Sequence, residues 1–275
     1  MKRVSTTEIK RFIDIYRKSR SLREISRQTG RSPNTIKKYL NKKIELKLQN
    51  NIVKVKTQDD LLVGTYVGLW MGDGTQYYDD SYVVKFCSNK KQKDLNEFIS
   101  NIIIRLFDKK PWLINDKDTN RAYIKLKSKF IYYFIYEYCS FDKNKTLTVN
   151  LKNNIESYPE DFLRGVILGL SLSDGYLKKR FCFNSISKNL SLNAYSILLQ
   201  MGYNPYIYVH IRSKWKWHDL HMISLRTEES KTLLVELNDI LQKLGSNKSF
   251  QELKYGPTVT FNPHHVESFE RSEYV

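Results

Sequence analysis

The chain has 275 residues, 46 Lys and Arg against 29 Asp and Glu, and a formal charge of +17. That length can bury a full core in one to three domains, and such a charge points to a polyanionic partner. No apolar run approaches the ~18 residues of a membrane span, and Cys87, Cys139 and Cys182 form no Cys-x-x-Cys pair, which argues against structural zinc and for a reducing compartment.

The charge is concentrated at the N-terminus. Residues 1–56 hold 17 Lys and Arg against 4 Asp and Glu, so the first fifth of the chain carries most of the excess. MKRVSTTEIKR has no apolar centre, which predicts no secretory signal and a cytoplasmic or organellar, nucleoid-associated protein. Ile9, Phe12, Ile13 and Tyr16 recur at helical spacing. LREISRQT predicts a second helix, Gly30 a tight turn, and Ser32-Pro33 the capped start of a third. Ile36, Tyr39 and Leu40 then point to a small core, leaving Asn34, Thr35, Lys37 and Lys38 outward, residue types that reach bases and phosphates from a recognition helix. The stretch LREISRQTGRSPNTIKKYL resembles the helix-turn-helix of transposases and resolvases. Arg31 departs from the apolar residue usual after that glycine. The reading is a helix-turn-helix domain at 1–45 and a polar linker at 46–57.

A longer stretch then occurs twice. DLLVGTYVGLWMGDG (Asp60 to Gly74) and DFLRGVILGLSLSDG (Asp161 to Gly175) align without a gap at an offset of 101 residues. Gly64, Gly68 and Gly72 in one copy, and Gly165, Gly169 and Ser173 in the other, fall every fourth residue. On a helix that spacing makes one stripe. Each glycine costs about 1 kcal/mol of helix propensity, a loss offset where two backbones pack closely. The repeat therefore predicts two helices in contact along their small residues, with Asp-Gly as the αL stop of each. Asp73 and Asp174 then meet at two negative dipole ends, an arrangement that calls for a cation; hard oxygen donors suit Mg²⁺.

GTYVGLWMGDG and GVILGLSLSDG resemble the two motifs of a single-chain LAGLIDADG homing endonuclease. The resemblance implies an α+β fold, a duplicated αββαββα unit whose antiparallel sheets form a saddle on DNA, beside the small all-α N-terminal domain. The halves are read as residues 58–145 and 158–275, joined by a linker at 146–157.

The intervening sequence fits that order. Tyr82, Val84 and Phe86 alternate with Val83, Lys85 and Cys87 behind a turn at Asp79-Asp80. A helix is expected from about Asn89, then strands near 111–115 and 121–127, then a helix capped by Ser128. In the second half Leu177, Phe181 and Phe183 alternate with Lys178, Arg180 and Asn184, a helix closes at Gly202, and Ile207 and Val209 alternate with Tyr208, His210 and Arg212. One apolar and one basic, aromatic face per strand suit sheets covered by helices on one side and by DNA on the other. Lys85, Asn89, Lys125, Lys178, Arg180, Asn184, Tyr208, His210 and Arg212 are the candidate contacts.

Phe86-x-Ser88-x₆-Leu95 matches Phe183-x-Ser185-x₆-Leu192 at an offset of 97, and IKLKS matches ISLRT at 99, placing Lys127 over Arg226. The resemblance implies that Lys127 and Arg226 flank the acids near the scissile phosphate, with Lys93 a further basic residue and Lys188 its substitute in the second half. It also implies two or three Mg²⁺ ions held by Asp73, Asp174 and the carbonyls of Gly72 and Ser173, with Mn²⁺ or Ca²⁺ able to replace them for binding. The partner that the resemblance implies is a long, asymmetric double-stranded DNA site, met by a monomer without a small-molecule cofactor. A non-cleaving transcription regulator and an intron maturase binding RNA remain open on the same scaffold. The terminal Glu-Tyr-Val in place of His-Asn argues against an intein. His264 and His265 lack a third ligand, FIYYFIYEY (Phe130 to Tyr138) reads as a core helix, and Trp215 and Trp217 fall in a hairpin loop.

Overall fold

A computed structural model describes residues 8, 11–12, 15, 21–37, 55, 57, 59–78, 81–212 and 217–256. Lys38, the Asp79-Asp80 turn, Trp215, His264 and His265 lie outside them.

In the N-terminal segment α1 (Leu22–Thr29) is capped by Ser21 and ended by Gly30 at φ 66°, where a side chain would be strained. Residues 33–37 are helical, and Ser32 Oγ accepts from Thr35 N at 3.2 Å, the cap expected there. Phe12, Ile25 and Ile36 are each 0% exposed. Asn34 and Lys37 are exposed and Thr35 half-buried. Arg31, polar where packing would favour an apolar residue, is held by Glu8 at 2.8 Å.

The rest realises one pattern twice. Helix α2 (Asp60–Asp73) leads into β1 (Gly74–Tyr78) and β2 (Tyr82–Asn89), then α3 (Lys93–Phe107), β3 (Trp112–Asn115), β4 (Arg121–Lys127) and α4 (Lys129–Tyr138). A short segment follows, with β5 (Cys139–Ser140), α5 (Lys145–Thr148), β6 (Asn150–Leu151) and a 3₁₀ turn. The second half is α6 (Glu160–Ser173), β7 (Gly175–Leu177), β8 (Phe181–Ser185), α7 (Lys188–Gln200), β9 (Tyr206–His210), β10 (Leu220–Ser224) and α8 (Thr227–Lys243), trailed by α9 (Phe250–Tyr255). Each half is a four-stranded antiparallel sheet, ordered β1-β2-β4-β3 and β7-β8-β10-β9. Val84, Phe86, Ile124 and Leu126 in one sheet, and Phe181, Phe183 and Ile223 in the other, turn to the helices and join one continuous core.

The halves meet through α2 and α6. A Cβ on Gly64 would fall within 3.0 Å of the Phe162 carbonyl, one on Gly68 against Val166, and ones on Gly165 and Gly169 against the backbone of residues 61–69. These neighbours are main-chain atoms inside helices and cannot swing aside. Gly68→Ala and Gly169→Ala should therefore each cost about 1–3 kcal/mol or more by overpacking, read as a fall in Tm; an unchanged Tm would show that the helices do not touch here.

Two expectations change. Gly74 has φ −77°, and Gly175 is not among the positive-φ glycines, so neither is an αL stop. Each is needed because a Cβ would strike the helix just left, at Trp70 or Ser171. The strand β2 also runs on to Asn89, so α3 begins at Lys93 and not at Asn89. Counted from the matched Phe86 and Phe183, the path to the helix start is two residues longer in the first half. Lys93 and Lys188 thus both open their helices, and Leu190, 2% exposed, takes the place of Leu95 while Leu192 is 41% exposed.

The run at α4 is two-sided. Ile131, Phe134 and Ile135 are buried, while Tyr132, Tyr133 and Tyr136 form an aromatic row with Tyr82 on the other face. The trailing segments cross between halves. Leu151 N donates to Asn193 of α7 at 2.8 Å, and Gln92 before α3 donates to the Lys254 carbonyl of α9 at 2.7 Å.

Candidate active site

Asp73 closes α2 and Asp174 caps α6. They come together because the glycine stripes bring the helix ends within van der Waals reach. A Cβ on Gly72 would lie 3.2 Å from Asp174 Oδ2, across the interface.

Two lysines stand at these tips. Lys145 Nζ donates to the carbonyls of Trp70 at 2.7 Å, Gly72 at 2.9 Å and Gly74 at 2.7 Å, with its ammonium 4.8 Å from the Trp70 ring centre. Lys254 Nζ donates to Leu172 at 2.8 Å and to Ser173. Each ammonium thus binds carbonyls at or just past a helix end, Trp70 also accepting from Gly74 N, and opposes the negative end of its dipole. Lys145 arrives on α5 and Lys254 on α9, the two segments that cross between halves.

Burial, then the facing Asp174, pushes Asp73 up to about 6, against the pull of Lys254 and Lys145. Burial raises Asp174 too, opposed by the same two lysines. Asp174 is nonetheless exposed and Asp73 half-buried, so both carboxylates reach solvent. Burial draws Lys145 down to about 8, against the hold of Asp174 and Asp73, and lowers Lys254 in the same way. Burial thus raises both acids and lowers both lysines, so the site disfavours charge of either sign although two carboxylates face two ammonium groups.

The donor set fits a hard divalent cation. It offers two carboxylates and the carbonyls of Gly72 and Ser173, each of which has a second lone pair beyond the one its lysine occupies. Among the described residues no group of three or more His, Cys, Asp and Glu is assembled, so the remaining ligands would be water or substrate oxygens, as hydrated Mg²⁺ prefers.

The register corrects the positions of the predicted basic residues. Gly74 pairs with Phe86 and Phe86 with Ile124, while Lys127 lies three residues further along, opposite Val83, about 10 Å down the strand. Arg226 is displaced equally in the second half, beyond Ile223, and caps α8 with its guanidinium over the Tyr206 ring. Neither flanks the acids; Lys145 and Lys254 do. Lys93 and Lys188 are exposed at the starts of α3 and α7. Beside Asp73 the strands present Cys87, whose thiol is raised by burial and by Asp73 and lowered by Arg121 and Lys85. Sequence reading missed both lysines. Lys145 is one of several lysines in a polar stretch and Lys254 lies in an unassigned tail, so only an alignment by structure would have shown them as a pair.

Of the proposed contacts, Lys85 and Lys125 pair across β2 and β4, and Asn89 ends β2 opposite Arg121. Asn184 pairs with Met222, which pairs with Tyr208; His210 pairs with Leu220. Lys178 and Arg180 lie in the turn after β7, and Arg212 follows β9 with its guanidinium 5.6 Å from the Trp217 ring centre.

Two αββαββα halves joined by glycine-lined helices that end in a pair of acids define the LAGLIDADG-type fold. Solved structures of the homing endonuclease I-DmoI share it. A set of its mesophilic variants superposes with a TM-score of 0.50 at 15% identity, over 66% of this chain and 93% of that one. I-DmoI with its target DNA in the presence of Mg²⁺ gives 0.50 at 17%, over 66% and 98%. An ATP-dependent DNA helicase, Hel308 of Thermococcus kodakarensis, is 24% identical over 157 residues, 54% of this chain but 13% of that protein. The chain thus matches a small part of the helicase's length. No family model matches the sequence.

Proposed function

We propose that this chain is a site-specific double-strand DNA endonuclease, a homing endonuclease that hydrolyses phosphodiesters with Mg²⁺. The observation that carries the reading is the pair Asp73 and Asp174, one from each half, raised above the usual carboxylate range at touching helix tips. A pseudo-two-fold acid pair suits a duplex, whose two strands present a phosphate to each half. One chain supplies both acids, so a monomer suffices. Bound divalent ions would activate water and stabilise the leaving 3′ oxygen, and I-DmoI crystals with target DNA were prepared with Mg²⁺ and with Mn²⁺. Asp73, Asp174 and the carbonyls of Gly72 and Ser173 are the groups that would hold them. Lys145 and Lys254 keep the acids charged near neutral pH and fix the helix tips. Lys127, Arg226, Lys93 and Lys188 lie farther out, where they would contact the DNA backbone instead of the scissile phosphate.

The sheet faces turned away from the helices would read bases, and the N-terminal segment, through Asn34, Thr35, Lys37 and Lys38, would extend the contact. Deleting residues 1–45 should weaken DNA binding and flatten its dependence on salt, since each phosphate contact contributes ~0.9 to the slope of log K against log salt; an unchanged slope would remove this segment from the interface. The test of the activity is a cleavage selection from a random duplex library with Mg²⁺, with EDTA as control. Enriched cut sites that vanish in EDTA support an endonuclease. Retained sequence-specific binding without cutting selects a non-cleaving regulator on the same scaffold.

A further inference from the structure

The pseudo-symmetry of the two sheets extends to their backbones but not to the charge on the faces turned away from the helices. In the first sheet Lys85, Arg121 and Lys125 lie on that face; Lys85 is opposite Lys125 and its ammonium is 4.7 Å from the Tyr123 ring centre. The matched positions, set by Phe86 on Phe183 and Ile124 on Ile223, are Cys182, Leu220 and Ser224. All three cations are therefore replaced by uncharged residues. Three rows cross the second sheet instead: His210 and Leu220; Tyr208, Met222 and Asn184; and Tyr206, Ser224 and Cys182. Tyr208 is 46% exposed, and Met222 and Leu220 are half-buried. Among the described residues its cations, Lys178, Arg180, Arg212 and Arg226, stand in turns or at strand ends and not along the strands.

The major groove distinguishes these two faces. Guanine offers O6 and N7 acceptors to Lys and Arg, whereas thymine offers a C5 methyl to apolar and aromatic side chains, and Asn suits adenine. A face without a central cation lacks the bidentate charged donors that favour guanine, and Tyr206, Tyr208, Asn184, Ser224 and His210 offer it only single neutral ones. From the loss of Lys85, Arg121 and Lys125 at their matched positions, we infer that the second sheet reads a T·A-rich half-site through thymine methyls, while the first reads a half-site containing G·C pairs. This rests on the duplex-DNA reading above and names the substrate more closely.

The test uses the full chain with Ca²⁺ and a random duplex library selected by binding. The enriched duplex is then remade with uracil for thymine in one half, or with 7-deazaguanine for guanine in the other. The expected result is an asymmetric site. Uracil in the T·A-rich half should weaken binding about fourfold per buried methyl, and Tyr208→Ala should abolish that discrimination. Lys125→Ala should abolish the response to 7-deazaguanine in the other half. Both side chains lie on the face turned away from the helices, so neither change should unfold the chain, and equal Tm values check this. A selected duplex that tolerates uracil in both halves, or loses its methyl dependence with Lys125→Ala and not with Tyr208→Ala, overturns the inference and leaves the DNA reading standing. Failure to enrich any duplex overturns the DNA reading and the inference with it.

Discussion

Asp73→Asn and Asp174→Asn should each lower double-strand cutting by about 10²–10³-fold, leaving at most nicking, while DNA binding persists. Each acid would serve one strand, so the double variant should cut neither; undiminished cutting by it would end the endonuclease reading. The same substitutions bear on stability with the opposite sign. The folded Asp73 sits at about 6, above its ordinary 3.8, so the folded state binds the proton more tightly and ionisation opposes folding. That opposition is fully present above about pH 6 and gone below 3.8. Asp73→Asn should therefore raise stability in EDTA at neutral pH, by up to ~3 kcal/mol, with the gain shrinking to nothing near pH 4. A Tm difference that did not vary with pH would mean the carboxylate is not buried against a like charge. The fold by itself would favour neither acid, a strain of the kind that marks functional sites.

Lys145→Met should have the second large effect. It removes three bonds to the end of α2 and the ammonium facing both carboxylates. Leaving those carbonyls without the ammonium costs about 1–3 kcal/mol, offset in part because the fold already opposes the Lys145 charge, drawn down to about 8. The loss also raises the acids further, since Lys145 is one of the groups holding them down. The acid limb of the cutting profile should shift to higher pH, and the Tm should fall. A profile unmoved by Lys145→Met, with Lys254→Met equally silent, would show that neither lysine governs the acids.

The acid pair was legible in the sequence because it is carried by a repeat. Glycines every fourth residue in two copies leave few packings besides helix against helix, and an aspartate after the last turn then has to meet its counterpart. The strand faces were legible in the central strands, where Phe86, Ile124, Phe183 and Ile223 lie inward, but not throughout: Val83, read as outward, is 1% exposed, and Ile207 and Val209 of the edge strand β9, read as its apolar face, are 41% and 51% exposed because no helix among the described residues covers them. The αL assignment of Gly74 and Gly175 failed because Asp-Gly looks the same whether glycine is needed for its φ or for want of a Cβ, and the clash with Trp70 and Ser171 exists only once the chain has turned back. The placement of Lys127 and Arg226 failed because the offset between two strands fixes their equivalence but not their distance from a third element.

By itself, then, the sequence determined what local periodicity and repetition encode: two halves, the helices that join them, the acids at their tips and the alternating strands between. Only the tertiary structure decided which cations serve those acids. Lys145 and Lys254 come from segments distant in sequence, without a common motif, and each becomes part of the site because α5 and α9 cross between halves. The physical reason is that helix and strand periods are properties of neighbouring residues, whereas the compensation of a buried charge depends on whatever the folded chain brings within a few ångströms of it.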